Sequence, residues 1–234
     1  MAEHLSDEEQ LESFKRWFKE NGLSTIVVVV LAAGGYFGWE FWKGYSEKTA
    51  QAASITYQQM MDTALVDPGK RLNDSQRDEI SDLAVQLKKD YSGTQYARYA
   101  AMLLARLAVE DGEFETAAEQ LHWADKGADE GLSLVIGLRL ARIEAARGNI
   151  DTAIEMLNSK DAKTMASAYA EARGDFYLMK NDRDSAHSAY LQALQSVAQN
   201  DQQSRSIIEL KLTHAAPASA NEVDSMDTSS ENSE

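Results

Sequence analysis

The sequence predicts an all-α protein in which a single N-terminal transmembrane helix precedes a solenoid of helical repeats. Three observations lead to this fold class. Only two prolines and thirteen glycines occur in 234 residues, and the long stretches between them are rich in strong helix formers such as alanine, leucine and glutamate. One stretch near the start is apolar for the length of a membrane span. A pattern of small residues and turn residues then recurs three times in the second half of the chain.

The apolar stretch at residues 23–42 reads LSTIVVVVLAAGGYFGWEFW, and its only charge is Glu40. A helix of roughly 20 apolar residues crosses the hydrocarbon core of a bilayer. A buried core helix usually carries a polar stripe, and none interrupts residues 26–33. In a signal peptide the apolar region follows a short basic segment, whereas residues 1–22 are rich in Asp and Glu. The sequence therefore predicts an uncleaved anchor at 23–42, surrounded by lipid.

Basic residues on the two sides of this anchor predict its orientation. Lys15, Arg16 and Lys19 precede it, and Lys43 and Lys48 follow it. Cytoplasmic flanks carry an excess of Lys and Arg, and acidic residues count for little in this rule. Segment 1–22 is therefore predicted to be cytoplasmic.

Two features of this region predict contacts with lipid or with another helix. Leu11, Phe14 and Phe18 form an apolar stripe, which fits either a short interfacial helix or an extension of the anchor. Gly34 and Gly38 lie four residues apart on one helical face. Glycines at that spacing let a second transmembrane helix approach closely. We therefore predict a helix-packing site at these two glycines.

Residues 43–94 are predicted to lead into the repeats as two helices, at 45–64 and 75–90. Asp67-Pro68-Gly69 separates them with turn chemistry. The pattern leaves open whether this segment forms a further repeat or caps the array.

Residues 95–212 contain the repeat. Three kinds of position recur with the same offsets, 36 residues between the first two copies and 33 between the next two. They are a small residue (Ala105, Ala141, Gly174), a turn residue (Gly112, Gly148, Asn181) and a second small residue (Ala117, Ala153, Ala186). Such a period predicts one helix-turn-helix unit per copy, with the small residues where paired helices cross.

This pattern resembles the tetratricopeptide repeat, whose unit is about 34 residues long. Two features depart from that pattern: no proline closes a unit, and Ala101, Gly137 or Ala170 replaces the usual aromatic. A generic alanine-rich bundle is the alternative, but a bundle has no reason to keep regular offsets. The predicted fold is therefore a tetratricopeptide-like solenoid.

The resemblance implies that the first helices line a concave, protein-binding groove. The groove-facing positions are equivalent in the three copies, but different residues occupy them. They are Tyr99, Met102, Arg106, Val109 and Glu110 in the first copy, Val135, Leu138, Arg142, Ala145 and Ala146 in the second, and Ala168, Glu171, Asp175, Leu178 and Met179 in the third. Flexible methionines suit tolerant binding of varied apolar segments. The alternative for each residue is an ordinary core position.

Composition argues against nucleic acid and against catalysis. The formal net charge is −15, whereas a phosphate backbone requires a basic face. The chain has no cysteine and four histidines without metal-ligand spacing, and it has no phosphate-binding loop. We therefore predict no enzyme activity, no catalytic or metal site and no cofactor.

The last segment, 213–234, is predicted to be an acidic, disordered tail. It contains Glu222, Asp224, Asp227, Glu231 and Glu234, and it has no Lys or Arg. Such a segment cannot bury enough apolar surface to offset the entropy of ordering. It either keeps the protein soluble or serves for docking.

The order of these parts is similar to that of the YfgM family of Gram-negative bacteria, the ancillary subunits of the SecYEG translocon. The stretches that carry the resemblance are FKRWFKENG at 14–22, GWEFWKGY at 38–45, ASITYQQMM at 53–61 and the repeat segment 138–142. The resemblance covers about residues 7–212, and the acidic tail goes beyond the family pattern. It implies an inner-membrane protein with a cytoplasmic N terminus and a periplasmic repeat domain.

The resemblance also implies partners: the SecYEG translocon and PpiD, a membrane-anchored periplasmic chaperone of parvulin type. The expected function is a non-catalytic, chaperone-like role for secreted proteins leaving the channel, including unfolded ones. The alternative is a membrane-anchored scaffold or regulator of envelope complexes or stress signalling that never binds unfolded clients.

Overall fold

The computed structural model describes residues 7–66, 70–159 and 161–216, with side chains from residue 10 onward. Within these ranges the chain is helical and contains no strand, as the sequence predicts. It divides into two compact units, Met1–Ala52 and Ala53–Glu234. The helices are α1 (Asp7–Ala64), α2 (Asp74–Asp90), α3 (Gln95–Glu110), α4 (Phe114–Asp125), α5 (Glu130–Ala146), α6 (Ile150–Asn158), α7 (Ala166–Met179), α8 (Arg183–Ser196) and α9 (Gln202–His214), with a 3₁₀ turn at Lys163–Met165.

In the first unit, the described residues 7–52 all belong to α1. In the described part of the chain, α1 is the one helix that is long and apolar enough to cross a membrane, over Gln10–Ala64. Its apolar side chains here are almost all exposed. Because Leu11 and Phe14 lie within α1 itself, the structure favours an extension of the anchor over a separate interfacial helix.

The described residues of the second unit form four apolar cores, and each core joins helices that neighbour one another along the chain. The end of α1 packs with α2 and α3, then α3 and α4 with α5, then α5 and α6 with α7, and finally α7 and α8 with α9. Sharing one helix between successive cores is what makes a stack of repeats continuous. The repeat period read from the sequence therefore corresponds to three helix pairs: α3 with α4, α5 with α6, and α7 with α8.

A further helix pair precedes the first repeat. Ala53 and Met60 of α1 are buried in one core with Ile80 and Ala84 of α2. The side-chain amide of Gln76 also donates to the Thr63 carbonyl at 3.4 Å. Segment 43–94 thus supplies a helix pair that covers α3, which the sequence left open.

The predicted turn residues of the repeat have a left-handed backbone conformation. The φ angles of Gly112, Gly148 and Asn181 are 77°, 88° and 58°. At each turn the next N–H donates to a carbonyl five residues earlier, for example Glu113 N to Ala108 O at 2.8 Å. This hydrogen bond defines the Schellman motif, which ends a helix with a residue at positive φ.

The small residues lie where the paired helices meet, as predicted. Ala117, Ala153 and Ala186 are fully buried. In the third pair the approach is so close that a Cβ atom added to Gly174 would lie 2.4 Å from the Tyr190 ring. A side chain at this position would therefore force the two helices apart.

The packed chain extends beyond the boundary predicted at residue 212. Helix α9 ends at His214, and Ala215 is fully buried in the core of α7, α8 and α9. Residues 213–216 therefore belong to the packed domain rather than to the predicted tail. The rest of that tail, 217–234, lies outside the described residues.

Candidate functional site

The candidate site is a cleft of about 360 Å³ between α3 and α5, with α4 behind it. This volume lies within the range of sites that bind small ligands or single side chains. The described residues that line the cleft are Met102, Ala105, Arg106, Val109 and Glu110 of α3, Phe114 and Leu121 of α4, and Arg139, Arg142, Ile143 and Ala146 of α5. We call this feature the α3–α5 cleft.

The interior of the α3–α5 cleft is apolar. Met102 and Ile143 face it from opposite helices and are largely buried, and Phe114 is partly buried behind them. Space remains because Ala105 and Ala146 have side chains too small to fill it. The cleft can therefore accept an apolar side chain, and the unbranched thioether of Met102 can adjust to its shape.

An ion-pair network borders one side of the cleft. Nε of Arg106 lies 2.8 Å from Oε1 of Glu110, and Nη1 of Arg77 lies 3.3 Å from Oε2 of the same carboxylate. Arg77 also contacts Asp111 at 2.5 Å. Glu110 is thus held between two arginines, and its charge is neutralised there.

The opposite side of the cleft carries two arginines without a counter-charge. Neither Arg139 nor Arg142 has a hydrogen-bond or ion-pair partner in the part of the chain that the structure describes. Partial burial and the neighbouring charges of Arg142 and Arg106 lower the pKa of Arg139. Three guanidinium groups therefore share one cleft, and they favour an anionic group at its mouth.

Most predicted groove positions of the first two copies meet in this cleft. Met102, Arg106, Val109, Glu110, Arg142 and Ala146 all line it. Met102 is only 8% exposed and forms the interior, whereas Val109 is 42% exposed at the rim. The repeat pattern therefore placed these six side chains on one surface.

The four other predicted positions of these copies lie outside the cleft. Tyr99 is exposed, and its ring is tilted against that of Tyr57, with ring centroids 6.0 Å apart. Val135 is partly buried against the core of α3, α4 and α5. Leu138 is 5% exposed and packs in the core shared with α7, so the prediction that it lines an open groove is wrong. Its position on α5 faces the next repeat rather than solvent. Ala145, 3% exposed, packs in the same core, so the groove prediction is wrong for this residue as well.

Helix α9 covers the predicted groove face of the third copy. Nζ of Lys211 lies 2.7 Å from Glu171 and 2.8 Å from Asp175. Leu178 packs against the core that α9 helps to form, while Met179 remains exposed. Glu171, Asp175 and Leu178 therefore do not lie on an open groove, because a later helix of the same chain fills it.

Sequence reasoning missed Arg139 as a cleft residue. The groove-facing positions of the tetratricopeptide pattern include Arg142 and do not include residue 139. One signal was available: Arg139 precedes Arg142 by three residues, a spacing that places both side chains on the same helical face.

The two glycines of the predicted packing site are free of contacts within the chain. A Cβ atom added to Gly34 or Gly38 would meet nothing within 4 Å. This leaves their face open, and the packing site stays a prediction.

Comparisons with known proteins agree with this architecture. The family described as a tetratricopeptide repeat-like domain matches residues 15–216. Three similar proteins carry the name "Ancillary SecYEG translocon subunit". The one from Haemophilus influenzae is 31% identical over 87% of this chain and 96% of its own length. Those from Aggregatibacter actinomycetemcomitans and Escherichia coli are 32% and 33% identical, over 92% and 81% of this chain and 100% and 88% of their own lengths.

Both the apolar span and the repeats fall within the matched residues. The resemblance inferred from the sequence is thereby confirmed. The chain belongs to the family of ancillary SecYEG translocon subunits, with a tetratricopeptide repeat-like domain after its apolar N-terminal helix.

Proposed function

We propose that this chain is a non-catalytic accessory subunit of the SecYEG translocon. In this proposal its repeat domain is periplasmic and binds a PpiD-type chaperone and secreted proteins that emerge from the channel. The observation that carries the proposal is similarity over most of the chain to proteins named as translocon subunits. Because the family match extends over both the apolar helix and the repeats, it supports the same location at the translocon as the relatives have, in addition to the same fold.

Localisation at the inner membrane is supported by the names of the relatives and by the single apolar helix. Lys15, Arg16 and Lys19 before the span support a cytoplasmic N terminus. The repeats then emerge on the periplasmic side, where secreted chains leave the channel. The exposed glycine face at Gly34 and Gly38 offers a close contact for another transmembrane helix.

Binding of other polypeptides is supported by the chemistry of the α3–α5 cleft. Unfolded chains expose apolar side chains, which the interior at Met102 and Phe114 can bury. The rim at Arg106, Arg139 and Arg142 can pair with carboxylates beside such a side chain. A surface with both features binds peptides without requiring one sequence.

The test is purification of the full chain at native expression from gently solubilised membranes. We expect Gly34→Leu to remove translocon subunits from the complex, because a bulky side chain blocks helix approach. Gly35→Leu, about a quarter turn away on the helix, is the matched control. We expect Val109→Glu in the cleft to remove the chaperone partner, and Val85→Glu, exposed outside the cleft, to retain it. Absence of translocon subunits from the unsubstituted chain would refute the proposal.

The alternative function is a scaffold or regulator that binds folded envelope proteins only. Suppression of aggregation of a denatured client separates the two functions. The full chain in lipid nanodiscs should suppress it, and Val109→Glu should suppress it less than Val85→Glu. A scaffold would give no suppression with any of the three chains.

A further inference from the structure

The α3–α5 cleft has an excess of positive charge in an acidic protein. The chain has 38 Asp and Glu against 23 Lys and Arg, yet Arg106, Arg139 and Arg142 all line the cleft, and Glu110 is the one carboxylate among its described lining residues. Glu110 already contacts Arg106 and Arg77. Two guanidinium groups, on Arg139 and Arg142, are therefore available to an anion.

The third repeat shows how this face is filled by the chain itself. Asp175 holds the repeat position that Arg106 and Arg142 hold in the first two copies. There Lys211 of α9 contacts Asp175 at 2.8 Å. The face is acidic in this copy, and its occupant brings a cation. In the first two copies the face is basic, so the complementary occupant is acidic.

The end of α9 lies beside the same edge of the repeats as the cleft. Nη1 of Arg183 donates to the His214 carbonyl at 3.3 Å, and Ala215 is fully buried. Arg183 opens α8 in the third copy, just as Phe114, which lines the cleft, opens α4 in the first. The chain beyond Ala216 therefore starts near the turn between α7 and α8, which corresponds to the end of the first repeat at which Glu110 and Phe114 line the cleft.

The segment that follows has a suitable charge and length. Residues 217–234 contain Glu222, Asp224, Asp227, Glu231 and Glu234, no Lys or Arg, and two larger apolar residues, Val223 and Met226. Fully extended, such a segment reaches roughly 60 Å, at about 3.3 Å per residue. Packed helices lie about 8–10 Å apart, so α5 and α3 are within reach of a chain that starts beside α7.

We infer that the α3–α5 cleft is a binding site for acidic peptide segments and that residues 217–234 of the same chain occupy it. Carboxylates of the segment pair with Arg139 and Arg142, and an apolar side chain of the segment enters the interior beside Met102. The segment acts as a tethered ligand, which an incoming partner must displace. This inference does not depend on the translocon role, because site and occupant belong to one chain.

Tethering makes even weak pairing effective. A short flexible linker gives an effective concentration on the order of 1 mM. If the free segment bound with a Kd of about 100 μM, the tethered segment would fill the cleft about 90% of the time. A competing peptide would then bind the full chain about tenfold more weakly than a chain that lacks the segment.

The first test measures binding of a labelled synthetic peptide of residues 217–234 to detergent-solubilised chain truncated after Ala216. We expect saturable binding that weakens with salt, about tenfold weaker binding to the full chain, and loss of binding on Arg139→Glu/Arg142→Glu. Lys89→Glu/Lys126→Glu makes the same change in charge at exposed positions outside the cleft and should bind normally. Equal binding by both double variants, or by a peptide with its five carboxylates changed to amides, would overturn the inference.

The second test locates the segment in the full chain. With a photoreactive residue in place of Met226, we expect concentration-independent crosslinks within one chain to peptides from α3 or α5. Arg139→Glu/Arg142→Glu should abolish them, and Lys89→Glu/Lys126→Glu should leave them unchanged. Crosslinks mainly between two chains, or to other parts of the repeat domain, would show that the chain's own segment does not fill its cleft.

Discussion

Nζ of Lys211 in α9 lies 2.8 Å from Oδ1 of Asp175 in α7. Asp175 occupies the repeat position that Arg106 and Arg142 occupy in the earlier copies, and both of these line the α3–α5 cleft. One repeat position thus serves two purposes. In the last copy it anchors the helix that closes the stack, and in the first two it forms a basic surface that the described helices leave uncovered.

Replacing Lys211 by Ala should destabilise the repeat domain. The change leaves Glu171 and Asp175 facing one another without a cation, and both are partly buried. We expect a loss of about 1–2 kcal/mol, less than for a deeply buried pair because solvent screens these groups. Chemical denaturation of the full chain followed by circular dichroism measures it. Lys180→Ala breaks an exposed pair with Asp151 and should cause no measurable change; equal effects of both changes would contradict the role given to Lys211.

Stability should decrease at alkaline pH, partly through the same cluster. Burial and the neighbouring Asp175 raise the pKa of Tyr190 well above 10.0. The pKa of Lys211 is also raised: burial opposes this shift, but Asp175 and Glu171 outweigh it. A group with a raised folded pKa stabilises fully below its unfolded pKa and loses that contribution as pH rises towards the folded pKa.

The free energy of unfolding should therefore decrease from about pH 10 upward. Tyr190→Phe should flatten this dependence, because the tyrosine that ionises in the unfolded chain is removed. Denaturation curves across the alkaline range measure the slope, with Tyr99→Phe at an exposed position as the control. Slopes that do not differ between the two variants would argue against a linkage to Tyr190.

Gly174→Ala should be strongly destabilising although alanine favours helices. An added Cβ atom would lie 2.4 Å from Cε1 of the fully buried Tyr190 ring. Overpacking of this kind costs about 1–3 kcal/mol, more than the roughly 1 kcal/mol gained in helix propensity. Gly131→Ala, where the nearest atom is 3.5 Å away, should be neutral or slightly stabilising in the same denaturation assay. If Gly174→Ala were as stable as Gly131→Ala, the close approach of α7 and α8 would be refuted.

Gly148→Ala should destabilise through the backbone alone. Gly148 has φ of 88°, and an added Cβ atom would meet nothing within 4 Å. A left-handed conformation costs an L-residue about 1–2 kcal/mol. Gly148→Asn should cost less, because asparagine tolerates this region and Asn181 already adopts it in the third copy. Thermal unfolding of the three chains should rank Gly above Asn and Asn above Ala, and any other order would contradict the turn mechanism.

The fold could largely be predicted from the sequence because the recurring residues of the repeat mark its turns and its helix crossings. Gly112, Gly148 and Asn181 identify the turns by the one conformation they share. Ala117, Ala153 and Ala186 identify the crossings by their size. Positions whose burial depends on neighbouring helices were harder to predict. Leu138 has the polarity of a groove residue or a core residue, and only its contact with the next repeat decides between them.

The candidate site could be predicted in part. The groove-facing repeat positions predicted that Met102, Arg106 and Arg142 share one surface, because equivalent positions of stacked units face the same side. The repeat positions could not reveal that α9 fills this side in the third copy, because Lys211 follows the three copies and its partners are up to 40 residues away in sequence. Arg139 was missed because its position is not among the groove-facing positions of the repeat; it lines the cleft because it lies on the same face of α5 as Arg142.

Site-specific photocrosslinking in intact membranes tests most directly whether the chain works at the translocon. Photoreactive residues are placed at Gly34 in the span and at Val109 in the cleft, with Val85 as the exposed control outside the cleft. We expect adducts to translocon subunits from Gly34 and to a periplasmic chaperone or secreted chains from Val109, with neither class from Val85. Adducts to unrelated envelope proteins alone, or the same adducts from Val109 and Val85, would contradict the proposed function and leave the family relationship as a guide to fold only.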